Sequence, residues 1–121
     1  MRWRLPNLGW LQLSRGIAMA QTMLQYVFTP TPGTDMAALL PLIKESAELW
    51  RKHGAQVSLW VVQVGEIGNM VFACRFDSSA KLGATLDAVN ADPAFAAWRM
   101  KNMKAGLATW VRSNQAYEVT I

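Results

Sequence analysis

Residues 56–76 read QVSLWVVQVGEIGNMVFACRF, and the fold turns on how this stretch alternates. Gln56 to Val64 is rich in β-formers, Gly65-Glu-Ile-Gly68 is a short connection, and Asn69 to Phe76 is a second β-rich run. The segment therefore predicts a β-hairpin, strands two and three of the domain. With a four-residue connection, odd positions of the first arm pair with even positions of the second. One face then carries Val57, Leu59, Val61, Met70, Phe72 and Cys74, uniformly apolar, and helices should cover it. The other face carries Ser58, Trp60, Val62, Val71, Ala73 and Arg75. A solvated face should read polar, but this one keeps a tryptophan and two valines. A five-residue connection would exchange the two faces.

Working outward, Thr22 to Phe28 reads as strand one, stopped by Thr29-Pro-Thr-Pro-Gly33. A helix follows from about Thr34 to His53. Thr34 is the expected cap, Asp35 suits the positive end of the dipole, and Gly54 suits the position just past the end. Its apolar stripe is Met36, Leu39, Leu40, Ile43, Ala47 and Trp50, with Pro41 expected to kink the helix or move its start. After the hairpin, Asp77, Ser78 or Ser79 can cap a second helix with the stripe Leu82, Leu86 and Val89. Asp92-Pro93 restarts that helix, with Phe95, Trp98 and Met103 on the buried side. Gly106 ends it, and Leu107 to about Ser113 is strand four, which Tyr117 to Ile121 can extend. The order β-α-β-β-α-β is the ferredoxin-like arrangement, an α+β fold with a four-stranded antiparallel sheet.

The chain has 121 residues, enough for one domain over 19–121. Residues 1–18 read differently, with Pro6, Asn7 and Gly9 interrupting any period. Three readings stay open: a secretory signal, disfavoured because Asn7, Gln12 and Arg15 break the apolar stretch; an untranslated leader before a true start at Met19; or a flexible extension. These residues hold Arg2, Arg4 and Arg15 without an acid, whereas the remainder sets nine Lys and Arg against eight Asp and Glu. The net charge of +4 therefore implies no nucleic-acid surface on the body. No apolar run approaches the ~20 residues that span a bilayer, so no membrane partner is expected. Cys74 is the single cysteine and His53 the single histidine, so neither a disulfide within the chain nor a zinc site is expected. The composition fits a cytoplasmic protein.

The mixed sheet face, left bare, would approach the ~300–600 Å² of the largest patch on an ordinary monomer. A second copy packed face to face is the economical cover. On the same face Trp60, Arg75, Trp110 and Gln25 are the candidate ligand-pocket residues: two indoles to wall a flat apolar or aromatic molecule, and a cation to hold a carboxylate or enolate-like oxygen. Interface roles are the plainer reading of each. His53 is a weak candidate base, more simply explained as a favourable helix end. Trp50 and Trp98 read as core. Cys74 reads as an inert buried thiol with no adjacent base.

Three stretches resemble one family: Ala47-Glu-Leu-Trp-Arg-Lys-His-Gly-Ala55, Phe76-Asp-Ser-Ser-Ala-Lys-Leu-Gly83 and Asp92-Pro-Ala-Phe95, with Pro32-Gly33 before the first helix. Together they resemble the dimeric α/β-barrel superfamily, in particular its small NIPSNAP-like and antibiotic-biosynthesis-monooxygenase-like members, over about residues 20–121. The resemblance implies a homodimer whose two sheets enclose a small cavity. Members include cofactor-free oxygenases, isomerases and haem-binding enzymes; no histidine here is placed to ligate haem, so no cofactor is expected. The functions in contention are a homodimeric small-molecule binder or cofactor-free enzyme using a cavity on the open sheet face, and a structural or stress-associated dimer. An RNA-recognition module is disfavoured, because the third strand lacks a basic-Gly-aromatic start.

Overall fold

The computed structural model describes residues 19–121, so the readings of residues 1–18 fall outside the described residues. The elements are β1 (Thr22–Pro30), α1 (Met36–Lys52), β2 (Gln56–Val61), β3 (Met70–Phe76), α2 (Ser79–Ala91), α3 (Pro93–Ala105) and β4 (Ala108–Tyr117). The sheet is antiparallel throughout in the order β2-β3-β1-β4, which is the ferredoxin-like topology. Among the described residues no helix is long and apolar enough to cross a membrane.

The hairpin pairs Val57 with Cys74, Leu59 with Phe72 and Val61 with Met70. Its connection, residues 62–69, is longer than the four residues expected, and the register moves by two. A shift of two preserves which side chains share a face, so the predicted faces hold, but the helices leave Leu59 and Val61 of the edge strand β2 exposed. Met70, Phe72 and Cys74 are buried beneath the helices with Trp50, Leu82 and Val89. The connection curls over the opposite face, where Glu66 accepts two hydrogen bonds from Arg112 Nη1 of β4 at 2.6 and 2.8 Å and a third from Asn69. Arg112 foremost, and Asn69 with it, hold the Glu66 carboxyl below the usual range.

Local chemistry places the helix ends. Asp35, rather than Thr34, caps α1 by accepting from the Ala37 N–H; the Thr34 hydroxyl instead donates to the Leu107 carbonyl at 3.0 Å. The helix runs through Pro41 without a break or a later start. Its buried line is Leu39, Leu42, Ser46, Ala47 and Trp50, so Leu42 and Ser46 replace the expected Met36 and Leu40, which are exposed. The chain leaves α1 through Gly54 at φ 102°, a left-handed conformation that L side chains avoid. Ser78 caps α2, and Asp92 both ends α2 and caps α3, so the second helical stretch is two helices rather than one. Pro93 has no N–H to continue α2 and fits the first turn of α3.

Cys74 is fully buried, and burial pushes its thiol pKa up to about 12. The nucleophilic thiolate is therefore absent near neutrality. Cys74 should resist iodoacetamide in the native protein at mildly alkaline pH and react stoichiometrically once guanidinium unfolds the chain; native labelling at the unfolded rate would disprove this burial.

Candidate functional site

The sheet has two sides, and each carries a concavity. The one between helices and sheet is a cleft of about 460 Å³. Tyr26 and Phe28 of β1, Phe72 of β3 and Trp110 of β4 form its floor. Leu39, Ile43, Ser46 and Trp50 of α1 and Leu86 and Asn90 of α2 form its walls. Phe95, Trp98, Arg99, Asn102 and Met103 of α3 form its roof.

Alternation puts Tyr26 and Phe28 here, since both lie on the helix side of β1. Trp110 arrives by a different route. Val27 pairs with Arg112 but Phe28 pairs with Trp110, so Val111 is an extra residue in β4, a β-bulge. Beyond the bulge, every β4 side chain changes face. Trp110, expected on the open face, therefore stands on the helix side with Ala108, while Arg112 lies on the open one. Trp110 is 64% exposed and forms part of the cleft floor.

A chain of rings crosses the cleft. Tyr26 lies 6.0 Å from Trp50 at a tilt of 51°, Trp50 meets Phe95 edge-on at 6.3 Å, and Phe95 stacks on Trp98 at 5.7 Å. These are ordinary favourable aromatic geometries. The Trp98 indole N–H donates to the Leu42 carbonyl at 2.9 Å, which fixes its ring against α1. Trp98 thus roofs the cleft instead of filling the core, and Met103, expected to be buried, is exposed at the edge of the lining.

Few polar groups line this space, and none is acidic. Tyr26 keeps its phenolic proton, because burial foremost, and the neighbouring Cys74, raise its pKa above the ordinary value, while Arg99 opposes the rise. Among the described residues neither the Tyr26 hydroxyl nor the Arg99 guanidinium has a hydrogen-bond or ion-pair partner. Asn90 and Asn102 add amide donors, and no Asp, Glu, His or Cys belongs to the lining. The cleft suits a planar apolar molecule bearing an oxygen acceptor or anion. It offers no ordinary base and no set of metal ligands.

The other concavity, about 760 Å³ and wide open, lies on the open sheet face and brings together three predicted residues, Gln25, Trp60 and Arg75. Their polar groups are already engaged with neighbours. Arg75 Nη2 donates to Gln21 Oε1 at 2.8 Å, Trp60 Nε1 donates to Ser58 Oγ at 2.9 Å, and Gln25 Nε2 lies 3.7 Å from Met23 Sδ. Trp60 is 62% exposed.

His53 lines neither concavity. It follows α1, and its Nε2 lies 2.8 Å from Asp92 Oδ2, an oxygen that also accepts from Lys52 Nζ at 2.9 Å. Asp92 Oδ1 accepts the Ala94 N–H. The group ties the end of α1 to the α2–α3 junction and so sets where the roof begins. Periodicity marked Phe95 and Trp98 as inward-facing; Tyr26, Arg99, Asn90 and Asn102 gave no signal, because each is an ordinary strand or helix residue until the helices are laid on the sheet.

No protein-family model matches the chain, and no curated protein is detectably similar to it in sequence. Solved structures do share its fold. An uncharacterised NIPSNAP domain protein from Burkholderia xenovorans is 16% identical with a TM-score of 0.64, over 83% of this chain and 94% of that one. A NIPSNAP-family protein of unknown function from Agrobacterium tumefaciens is 17% identical with a TM-score of 0.62, over 83% and 87%. SnoaB, a cofactor-independent oxygenase from Streptomyces nogalater, is 12% identical with a TM-score of 0.60, over 84% and 96%. The chain shares the fold of these NIPSNAP proteins and of this oxygenase.

His53 foremost, then Lys52 and the Ala94 N–H, hold the Asp92 carboxyl well below the usual carboxylate range. Its folded pKa is below its unfolded one, so its stabilisation is complete above the unfolded value of about 4 and disappears as pH falls through the depressed folded value. Asp92→Ala should therefore unfold at a lower temperature than wild type at pH 7, with the gap narrowing steadily as the pH is taken below about 4. A gap that stayed constant would show that the charge contributes nothing.

Proposed function

We propose that the protein is a homodimer that binds a flat, largely apolar small molecule bearing an oxyanion, in the cleft between helices and sheet. One observation carries the reading: seven aromatic side chains and a cation with no ion pair among the described residues surround about 460 Å³, with no acidic residue in the lining. The rings supply faces and edges for a planar ligand, while Arg99 and the Tyr26 hydroxyl supply donors for its oxygen. Any chemistry there relies on the ligand's own acidity, stabilised as an oxyanion by these donors, because the lining holds no ordinary base. The shared fold of SnoaB, a cofactor-independent oxygenase, makes cofactor-free oxygenation the activity to assay first.

The open sheet face is then the surface for the second copy. Trp60 and Val71 give it an apolar centre. Arg75 and Glu118 border it at one end, and neither is ion-paired among the described residues. A two-fold contact brings each surface against its own copy, so a face holding both signs can complement itself.

Anilinonaphthalene sulfonate, a planar aromatic anion, is the probe for the cleft. It should bind with blue-shifted emission, and Arg99→Leu should weaken it about tenfold or more, the loss expected of a charge-assisted hydrogen bond. Equal affinity in the variant would remove Arg99 from the site. Independently, light scattering should give twice the chain mass, and Trp60→Asp should halve it; a wild-type monomer would refute the dimer.

A further inference from the structure

We infer that α3 is a strap over the cleft, pinned at both ends and weakly held between them, which opens as a separate unit to admit the ligand. The door role rests on the cleft being the ligand site proposed above; the opening itself stands on the helix alone.

The argument begins with what α3 lacks. It has thirteen residues and none is buried, whereas α1 buries five and α2 three. Only Phe95, Trp98 and Asn102 are half-buried, a single row at i, i+3 and i+7 that lines the cleft and touches packed core only where Phe95 meets Trp50. A helix docked by one row over open space gains little from burial, and local unfolding is cheapest where buried apolar contacts are few.

Its attachments are unevenly placed. At the start, Asp92 is held by His53, Lys52 and the Ala94 N–H. At the end, the Thr31 hydroxyl donates to the Gly106 carbonyl at 2.9 Å, and the Leu107 carbonyl accepts from both the Thr31 N–H and the Thr34 hydroxyl. Between the ends, α3 is held to α1 by the Phe95–Trp50 edge contact, by the Trp98–Leu42 hydrogen bond and by an exposed ion pair, Lys101 to Glu45 at 2.8 Å, of a kind worth little in water. The helix can therefore bow or melt in its middle while both ends stay in place. A flat ligand beneath would add to the contacts of the Phe95 and Trp98 rings, and by mass action would hold the strap shut.

Hydrogen–deuterium exchange with peptide-level mass spectrometry on the full chain tests this. Residues 94–105 should exchange about tenfold or more faster than buried α1 and β3. Trp98→Phe keeps an aromatic ring and removes the N–H, so it should speed residues 94–105 about fivefold further, with α1 and β3 unchanged. Exchange of α3 in step with α1 and β3, in either protein, would overturn the strap. Saturating anilinonaphthalene sulfonate should then slow residues 94–105 selectively. Binding that is lost in Arg99→Leu yet leaves α3 exchange untouched would overturn the door. Independent opening of α3 with no probe bound would uphold the strap and count against the ligand reading alone.

Discussion

The buried indole of Trp50 is the point on which the layers of this protein meet. It is 3% exposed, near the end of α1, with Tyr26 of the sheet on one side and Phe95 of α3 on another. Its backbone carbonyl accepts from both the His53 and Ala55 N–H groups, so the residue that anchors the helix also closes it. Burying a tryptophan removes roughly 150–250 Å² from water, at about 25 cal/mol per Å², a large share of what a small domain has to spare. The same ring separates sheet from roof. The helices therefore rest on a wide spacer rather than collapsing onto the sheet, and the cleft is the space that the spacer leaves.

That arrangement divides the molecule into two regimes. Below Trp50, Phe72, Cys74, Leu82 and Val89 form a closed core in which even a thiol is silenced by burial. Beside it, toward β4 and α3, the side chains are large and aromatic, and the chain of rings through Trp50 leaves open space alongside it. An interior normally packs like an organic crystal, so a persistent aromatic gap marks a place where packing has been left incomplete. Among the polar groups around it, Arg99 and the Tyr26 hydroxyl can both donate. The site reads as one half of an interaction whose other half is a ligand.

The opposite sheet face follows a different logic. Its polar side chains satisfy one another, Arg75 with Gln21 and Trp60 with Ser58, while the Glu66–Arg112 pair draws the hairpin connection across one end. Such a surface presents shape and scattered apolar area rather than waiting donors. The two sides of one sheet thus differ in kind, and that difference separates a ligand role from a contact role more clearly than the inventory of residues does.

Much of this was legible in the residues themselves. Alternation in 56–76 determined the faces of the hairpin, because a side-chain period of two survives an error of two in register. Asp92-Pro93 determined the break between α2 and α3, since an aspartate cap followed by a proline, which has no N–H to donate back, starts a helix at low cost. Local chemistry of this kind needs no knowledge of the rest of the chain. The side on which Trp110 stands was decided only by tertiary structure. One extra residue, Val111, is absorbed where β4 pairs with β1, and a bulge belongs to two strands at once, so neither strand's sequence states it. Tyr26 and Arg99 are likewise separated by most of the chain and share a cleft only once α3 lies over the sheet. Periodicity reports which way a side chain points from its own element; what it meets there depends on how the elements pack.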